Sequence, residues 1–154
     1  MMKISCKGIA FIHQFEQLRL KAYKPFKSEK YFTIGWGHYS PDISENMVIT
    51  KEQAEELWLK DAATAEYEVN RAIRLYNLEL NQNQFDALVS FVFNIGIGNF
   101  RNSSVLKDLK NRKSKEETAP KFLYFCKRRN EFGALVFCQG LYDRRQEEAR
   151  LFCS

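Results

Sequence analysis

The chain has 154 residues, 45% of them hydrophobic and 28% charged, with seven glycines and three prolines. This composition supplies enough apolar material for the core of one domain, and it excludes wholesale disorder and fibrous architectures. The longest apolar stretches, such as Ile9–Ile12 and Ala87–Phe93, are far shorter than the ~20 residues of a membrane-spanning helix. The sequence therefore predicts a globular protein without membrane insertion.

Positive charge is concentrated in the last third of the chain. Residues 1–100 carry 11 basic and 12 acidic side chains, whereas residues 101–154 carry 13 basic and 7 acidic ones, a net charge of +6. A basic surface favours anionic polymers such as nucleic acid, anionic lipid or the acidic polymers of a cell envelope. An ordinary solvated surface without a specific partner can have the same net charge, so charge alone does not identify the partner.

The four cysteines are too few for a disulfide-built scaffold and lack the C-x-x-C spacing of a zinc site. Four buried thiols are the simplest interpretation, and a disulfide between Cys126 and Cys138 is the alternative. With two histidines and no ligand spacing, neither a metal nor an organic cofactor is expected. The N-terminus lacks the apolar run and cleavage site of a secretory signal, so we expect synthesis in the cytoplasm.

Hydrophobic spacing predicts the elements of the first half of the chain. Ser5 is a candidate N-cap for a first helix, with Glu16 in or near the last turn of that helix. Aromatic and β-branched residues punctuated by glycine and proline predict short strands and tight turns over residues 20–41. Thr50 and Gln53 form a capping box that opens a long helix reaching about residue 76.

From residue 81 onwards the pattern predicts only helices. They are one from Asn81 to the Gly96 and Gly98 pair, two short ones beginning near Ser103 and Thr118, and one over about 141–152. The predicted fold class is α+β, with a small sheet lobe, a long connecting helix and a helical lobe.

The predicted division is a single domain over residues 1–154. The N-terminal helix and β-lobe occupy about residues 1–50, the connecting helix about 50–78 and the helical lobe about 79–154.

Glu16 is the first candidate for chemistry because it lies in an otherwise apolar segment. A carboxyl group partly removed from water, near the negative end of a helix dipole, retains its proton to higher pH. A general acid requires this property. Thr33 is the second candidate, since its hydroxyl can hold a water molecule. An exposed glutamate beside an apolar face and an ordinary strand threonine are the plainer alternatives.

Two motifs together resemble the phage-type lysozymes of glycoside hydrolase family 24: Phe15–Tyr23 and, ten residues further on, Thr33–His38. The resemblance continues in order through Ile49–Asp61, Gln82–Gly96 and Gly140–Phe152. It implies a bilobed lysozyme-like fold with a cleft between the lobes. It also implies hydrolysis of the β-1,4 bond between N-acetylmuramic acid and N-acetylglucosamine in peptidoglycan.

By motif position, Glu16 corresponds to the general acid of this family, and Thr33 to the threonine thought to help position the attacking water. The family usually has an aspartate, sometimes a cysteine, nine residues after the acid, where this chain has Pro25. Glycosidases ordinarily use two carboxyl groups. Glu29, four residues before Thr33, is the predicted second one, and a surface glutamate paired with a neighbouring lysine is the alternative.

Other functions fit parts of the same pattern. A lytic transglycosylase uses one acidic residue, and a lysozyme-like module without a second carboxylate would bind the wall without cleaving it. A nucleic-acid binder would use the aromatic residues Phe122, Tyr124, Phe125 and Phe132 around Lys127–Arg129, but aromatics at helical spacing are more often core.

The resemblance makes bacterial peptidoglycan the expected partner of the chain. We expect a monomer that does not bind nucleic acid. It would be made in the host bacterial cytoplasm and act on the cell wall after release.

Overall fold

The computed structural model describes all 154 residues, Met1–Ser154. In chain order the elements are α1 Cys6–His13, β1 Arg19–Tyr23, β2 Phe32–Gly35, β3 His38–Ser40, α2 Lys51–Tyr76, α3 Gln82–Ile95, α4 Ile97–Arg101, α5 Ser104–Lys110, α6 Lys115–Thr118, β4 Lys127–Arg129, β5 Leu135–Phe137 and α7 Gln139–Cys153. A 3₁₀ segment, Ala119–Phe125, joins α6 to β4. The α+β prediction is confirmed.

The first helix packs on the helical lobe although it precedes the sheet in the chain. Ser5 caps it as predicted, because the Ser5 hydroxyl accepts a hydrogen bond from the Gly8 amide. The Ser5 amide in turn donates to Asp86 of α3 at 3.1 Å, and Ile12 is fully buried in the large core. Because the helix ends at His13, Glu16 lies three residues beyond it, at the entry to β1.

The three N-terminal strands form an antiparallel sheet in the order β1-β2-β3. Ala22 and Ile34 face a small core that also contains Ile43. Neighbouring side chains along a strand alternate between faces, and directly opposed residues share a face. Tyr23 and Thr33, which are opposed across β1 and β2, therefore face the other side of the sheet.

The long helix α2 connects the two lobes. It begins with the predicted capping box, in which the Thr50 hydroxyl accepts from the Gln53 amide and the Gln53 side chain accepts from the Thr50 amide. Its first turns pack against β2 through Ala54, and further along Ala62 and Val69 lie in the large core. It ends at Asn77, which adopts the left-handed conformation with φ 48°.

The large core of 21 buried residues is built around α3. Asn81 caps this helix in a second capping box, which was not predicted, and eight consecutive residues, Phe85–Val92, are buried. The helix ends at Gly96, where φ is 83°. The C-terminal helix α7 packs against α3 and adds Leu151 and Phe152 to this core.

The prediction that the chain is helical throughout from residue 81 is wrong at β4 and β5, which form an antiparallel hairpin. Its turn is stabilised by Asn130, whose side-chain oxygen accepts from the amides of Phe132 and Ala134, each at 3.0 Å. Gly133 supplies a positive φ of 78°. Leu135–Phe137 is an apolar run of only three residues. The spacing of hydrophobic residues in so short a run does not distinguish a strand from a helix.

One further prediction needs correction in this region. The helix expected near Thr118 is present in two short pieces, since α6 runs from Lys115 to Thr118 and the 3₁₀ segment begins at Ala119. Phe122 is buried and Phe125 packs on the core, but Tyr124 and Phe132 are 62% and 86% exposed. The core interpretation therefore fails for these two side chains, which lie on the 3₁₀ segment and at the turn of the hairpin.

All four cysteines are free, Cys6 is exposed on the first turn of α1, and the other three are half-buried. The prediction of four buried thiols is therefore wrong. Among the helices, none combines the length and the apolar character that a membrane crossing requires.

Candidate active site

The site is built around Glu16, whose carboxylate is held by a residue from the far end of the chain. Arg144 of α7 donates from Nη1 to Glu16 Oε1 at 2.7 Å. The Arg144 side chain is 4% exposed and that of Glu16 is 18% exposed. A hydrogen bond donated by a guanidinium group with so little exposure is among the stronger kinds in proteins. The carboxyl group is therefore fixed in one orientation at the edge between the lobes.

Arg144 is itself held from three sides. Its Nε donates to Glu148 Oε1 at 3.1 Å, its Nη2 lies 3.4 Å from the Ser90 carbonyl oxygen, and its guanidinium lies 5.2 Å from the Phe15 ring centroid. In the sequence, Arg144 is part of the C-terminal motif Gly140–Phe152 and lies 128 positions from Glu16. No local pattern predicts a contact between residues so far apart in the chain.

The second oxygen of Glu16 lies against the turn between β2 and β3. A Cβ atom added at Gly37 would lie 3.0 Å from Glu16 Oε2, and Gly37 has a φ of 91°. Any side chain at this position would be strained and would press on the carboxylate. The backbone at Gly37 therefore approaches the carboxylate closely. The Oε2 atom is consequently the oxygen that faces away from Arg144.

Tyr23 and Thr33 lie on the sheet face opposite the small core. Burial raises the pKa of the Tyr23 hydroxyl, the nearby Arg19 opposes this, and the negative charge of Glu16 raises it further. Tyr23 therefore stays protonated at neutral pH. Thr33 is directly opposite Tyr23 and 7% exposed. Thr33 thus lies beside a tyrosine whose hydroxyl responds to the charge of Glu16.

Glu29 lies elsewhere on the small lobe, in the loop between β1 and β2. It is partly buried and lines a cavity of about 340 Å³ together with Phe26 of the same loop and Arg129, Asn130 and Glu131 of the hairpin. No ion pair joins it to Lys27 or Lys30, the surface alternative that the sequence allowed. The hairpin that faces Glu29 was not predicted.

A cleft runs between the lobes next to this site. A cavity of about 380 Å³ is lined by Gly37 and Tyr39 of the small lobe, Asp61 and Thr64 of α2, and Val92 and Phe93 of α3. At its edge, His38 Nδ1 lies 2.8 Å from Asp61 Oδ2, a hydrogen bond that ties β3 to α2. Since Gly37 borders both the cavity and Glu16 Oε2, the carboxyl group lies at the margin of the cleft.

No group of three or more His, Cys, Asp or Glu side chains converges in a way that could hold a metal ion.

Two lobes, a connecting helix and a carboxyl group at the margin of the cleft define the lysozyme-like class of proteins. Residues 13–148 match the family model named phage lysozyme, and the chain belongs to that family. The resemblance found in the sequence is thereby confirmed.

Relatives from phages match along almost all of the chain. The chain is 45% identical to the endolysin of Bacillus phage PZA over 153 residues, which is 99% of this chain and 56% of that protein. It is 37% identical to the endolysin of Salmonella phage P22, with 100% of both chains covered. The chain therefore spans about half the length of the Bacillus phage relative and the whole length of the P22 relative.

Solved structures agree on the fold. The muramidase domain of SpmX from Asticaccaulis excentricus superimposes with a TM-score of 0.85 at 33% identity, covering 100% of this chain and 99% of that domain. A mutant of P22 lysozyme superimposes with a TM-score of 0.72 at 35% identity, with both chains fully covered. The predicted lysozyme-like architecture is confirmed by these two structures.

Proposed function

We propose that the chain is an N-acetylmuramidase that hydrolyses the β-1,4 bond between N-acetylmuramic acid and N-acetylglucosamine in bacterial peptidoglycan. The observation that carries the proposal is the Glu16 carboxyl group, fixed by Arg144 at 2.7 Å on the margin of the interlobe cleft. Membership of the phage lysozyme family supports the same substrate. The relatives named as endolysins and the structure named as a muramidase domain support it further.

In this proposal Glu16 is the general acid, and it delivers its proton to the oxygen of the leaving sugar. Arg144 occupies Oε1, so Oε2, beside Gly37, is the oxygen that would carry the proton. Because Arg144 is also bound to Glu148 and the Ser90 carbonyl, it holds the carboxyl orientation when the proton leaves. Fixed orientation of an acid towards the scissile bond lowers the entropic cost of the reaction.

Glu29 is proposed as the second carboxylate and Thr33 as the residue that positions the attacking water. Partial burial of Glu29 in a cavity without an ion-pair partner supports a role other than that of a solvated surface charge. If the two carboxyl groups stand ~6.5–9.5 Å apart in the complex, water attacks directly with inversion, whereas ~5 Å favours a covalent intermediate with retention. All these side chains come from one chain, so a monomer suffices for the reaction.

The test is Glu16→Gln, assayed by the fall in turbidity of purified cell walls. Glutamine retains the size of the side chain and an oxygen for Arg144 but has no proton to donate, so the rate should fall by ~10²–10⁴. The matched control is Glu147→Gln, an exposed glutamate on α7, which should clear walls normally. A Glu16→Gln protein that clears walls at nearly the wild-type rate would overturn the assignment of the acid.

A lytic transglycosylase is the alternative reaction, in which an internal sugar hydroxyl replaces water. Mass spectrometry of the released fragments separates the two reactions, because hydrolysis products contain one more water molecule than anhydro products. We expect the hydrated, reducing fragments. Binding to walls without any released fragment would instead indicate a non-catalytic wall-binding module.

A further inference from the structure

The hairpin β4–β5 and the residues leading into it carry a dense set of exposed apolar side chains. Four of the eleven large hydrophobic residues that are exposed lie between Tyr124 and Phe137, while the other seven are spread over residues 1–75. Phe132 is 86% exposed at the turn, Leu135 60% and Phe137 56%. Contiguous apolar surface of this kind marks an interaction site more often than chance exposure does.

The pairing of the two strands places these apolar residues beside basic ones. Lys127 is opposite Phe137 and Arg129 is opposite Leu135, so these four side chains share one face of the hairpin. Arg128 points to the other face, where its guanidinium lies 4.7 Å from the Phe26 ring centroid of the β1–β2 loop.

Arg128 and Arg129 both approach the small lobe, since Arg129 lines the cavity that contains Phe26 and Glu29. Lys127, Phe132, Leu135 and Phe137 are exposed, and the Phe137 ring also lies 5.7 Å from the ring of Tyr142 in α7. We call these four exposed residues the hairpin patch.

The composition of the hairpin patch selects one kind of partner. A wall glycan can stack the apolar faces of its sugar rings on Phe132 and Phe137, but Leu135 offers no ring for such stacking. Single-stranded nucleic acid stacks its bases on aromatic rings, but Leu135 has no ring to stack. A bilayer with anionic headgroups uses all of them, because aromatic and aliphatic side chains enter the headgroup boundary while lysine reaches the phosphates.

We propose that the hairpin patch binds the surface of an anionic phospholipid bilayer. The attachment is peripheral: the apolar side chains of one short hairpin enter the headgroup region, and no element spans the membrane. It uses none of the residues assigned to bond cleavage, so it goes beyond the proposed muramidase activity and does not depend on it.

The experiment is co-sedimentation of the whole chain with vesicles of phosphatidylcholine alone or mixed with phosphatidylglycerol. Binding to the mixed vesicles is expected to be at least ten times stronger than to phosphatidylcholine, and to weaken with salt. Leu135→Ser/Phe137→Ser should lower binding to the mixed vesicles by about tenfold or more, the equivalent of ~1.4 kcal/mol or more of lost apolar burial. Lys127→Glu should lower it several-fold.

Matched controls separate the patch from general surface properties. Leu59→Ser/Leu75→Ser removes two leucines that are each 57% exposed on α2, and Lys60→Glu reverses one exposed charge there. Both controls should bind vesicles like the wild type. Phe132→Ser, at a fully solvated turn, tests the patch without any risk to folding and should weaken binding. Glu16→Gln should bind normally, which keeps this result independent of the muramidase test.

Two outcomes would overturn the proposal. One is equal vesicle binding by the wild type and by both Phe132→Ser and Leu135→Ser/Phe137→Ser. The other is binding to a single-stranded oligonucleotide that is as tight as binding to mixed vesicles and is lost in the same variants, which would assign the patch to nucleic acid.

Discussion

Glu148 illustrates at the scale of single residues how a fully buried carboxylate orients a half-buried one. It has no exposed surface, and its Oε1 accepts from Ser90 Oγ at 2.6 Å, Arg145 Nη2 at 2.9 Å and Arg144 Nε at 3.1 Å. Burial lowers the pKa of the Arg145 guanidinium, and the charge of Glu148 opposes that shift. Because Arg144 also donates to Glu16, the buried Glu148 carboxylate helps to fix the orientation of Glu16.

Replacing Glu148 by alanine should therefore damage both stability and activity. The buried Arg145 guanidinium would lose its counter-charge, and Arg144 would retain only Glu16 as a partner. Breaking a buried pair in this way costs about 3–5 kcal/mol of the free energy of unfolding. Urea denaturation measures the loss. Glu147→Ala, which removes the neighbouring exposed glutamate, is the matched control and should change the midpoint little. Equal midpoints for the two variants would contradict the account.

The identity of the second catalytic carboxylate is also a question about single residues. If Glu29 is the base or nucleophile, Glu29→Gln should lower kcat by ~10²-fold or more with little change in melting temperature. Glu131→Gln is the control, because Glu131 lines the same cavity and carries the same charge. A silent Glu29→Gln would exclude the assignment and leave Glu16 as the only catalytic carboxylate.

The role of Thr33 is tested separately. A hydroxyl that positions water predicts that Thr33→Ala loses much of its rate with both glutamates in place, whereas Thr33→Ser should retain most of it. Steady-state rates on soluble wall fragments give the comparison. Equal losses in the alanine and serine variants would point to packing of the threonine methyl group instead.

At the scale of elements, α2 and α4 are joined by a clamp between Glu68 and Arg101. Arg101 donates from Nε and Nη2 to the two oxygens of Glu68 at 2.8 and 2.7 Å, and the Glu68 side chain is 2% exposed. The hydrogen bonds from Arg101 lower the pKa of Glu68, while burial opposes the shift. A two-pronged ion pair of this geometry holds Arg101, the last residue of α4, against α2.

This clamp predicts a pH dependence of stability. Because the pKa of Glu68 is lower in the folded state than in the unfolded state, its contribution is present above the unfolded value of about 4.3. It is lost as pH falls through the lower, folded value. The melting temperature of Glu68→Gln should therefore lie below that of the wild type at pH 7, and the gap should narrow at pH 3.

The control for this prediction is Glu56→Gln, a change at an exposed position of the same helix. It should show no gap at either pH. A gap for Glu68→Gln that stays constant between pH 7 and pH 3 would show that the clamp acts by packing and not by charge.

For the whole molecule, the uneven distribution of charge predicts how activity responds to salt. The excess positive charge lies in residues 101–154, and an anionic wall is held partly by this screened attraction. Wall clearance should therefore weaken between about 0.05 and 0.3 M salt, a range over which the Debye length roughly halves. Activity that does not change over this range would show that the charge is incidental.

Charge reversal sharpens the test. Reversing Lys127, Arg128 and Arg129 to glutamate should lower activity at low salt and flatten the salt dependence. Reversing Lys7, Lys51 and Lys60, three exposed lysines of the first half, is the control for net charge. If both triple variants respond equally, total charge matters and its location does not.

Local interactions are what the sequence by itself determined in this protein. Ser5 and Thr50 cap the helices that follow them, as predicted, and Asn81 and Ser103 cap the helices that were expected to begin near them. Each of these side chains accepts a hydrogen bond from an amide three residues further on. The strands of the small lobe and the family motifs could also be predicted from the sequence, since both depend on residues close together in the chain. The hairpin β4–β5 was not predicted because β5 has only three apolar residues, too few to show the alternation of apolar and polar residues that indicates a strand.

The site was decided only by the tertiary structure. Glu16 was identified from its motif, but its partner Arg144 lies 128 positions away, and no local pattern encodes a contact over that distance. Gly37 meets Glu16 Oε2, and Glu29 faces the hairpin, because the packing of α1, the sheet and α7 brings these segments together. Side-chain identity is a property of the sequence, whereas the orientation of a carboxyl group depends on what the folded chain places against it.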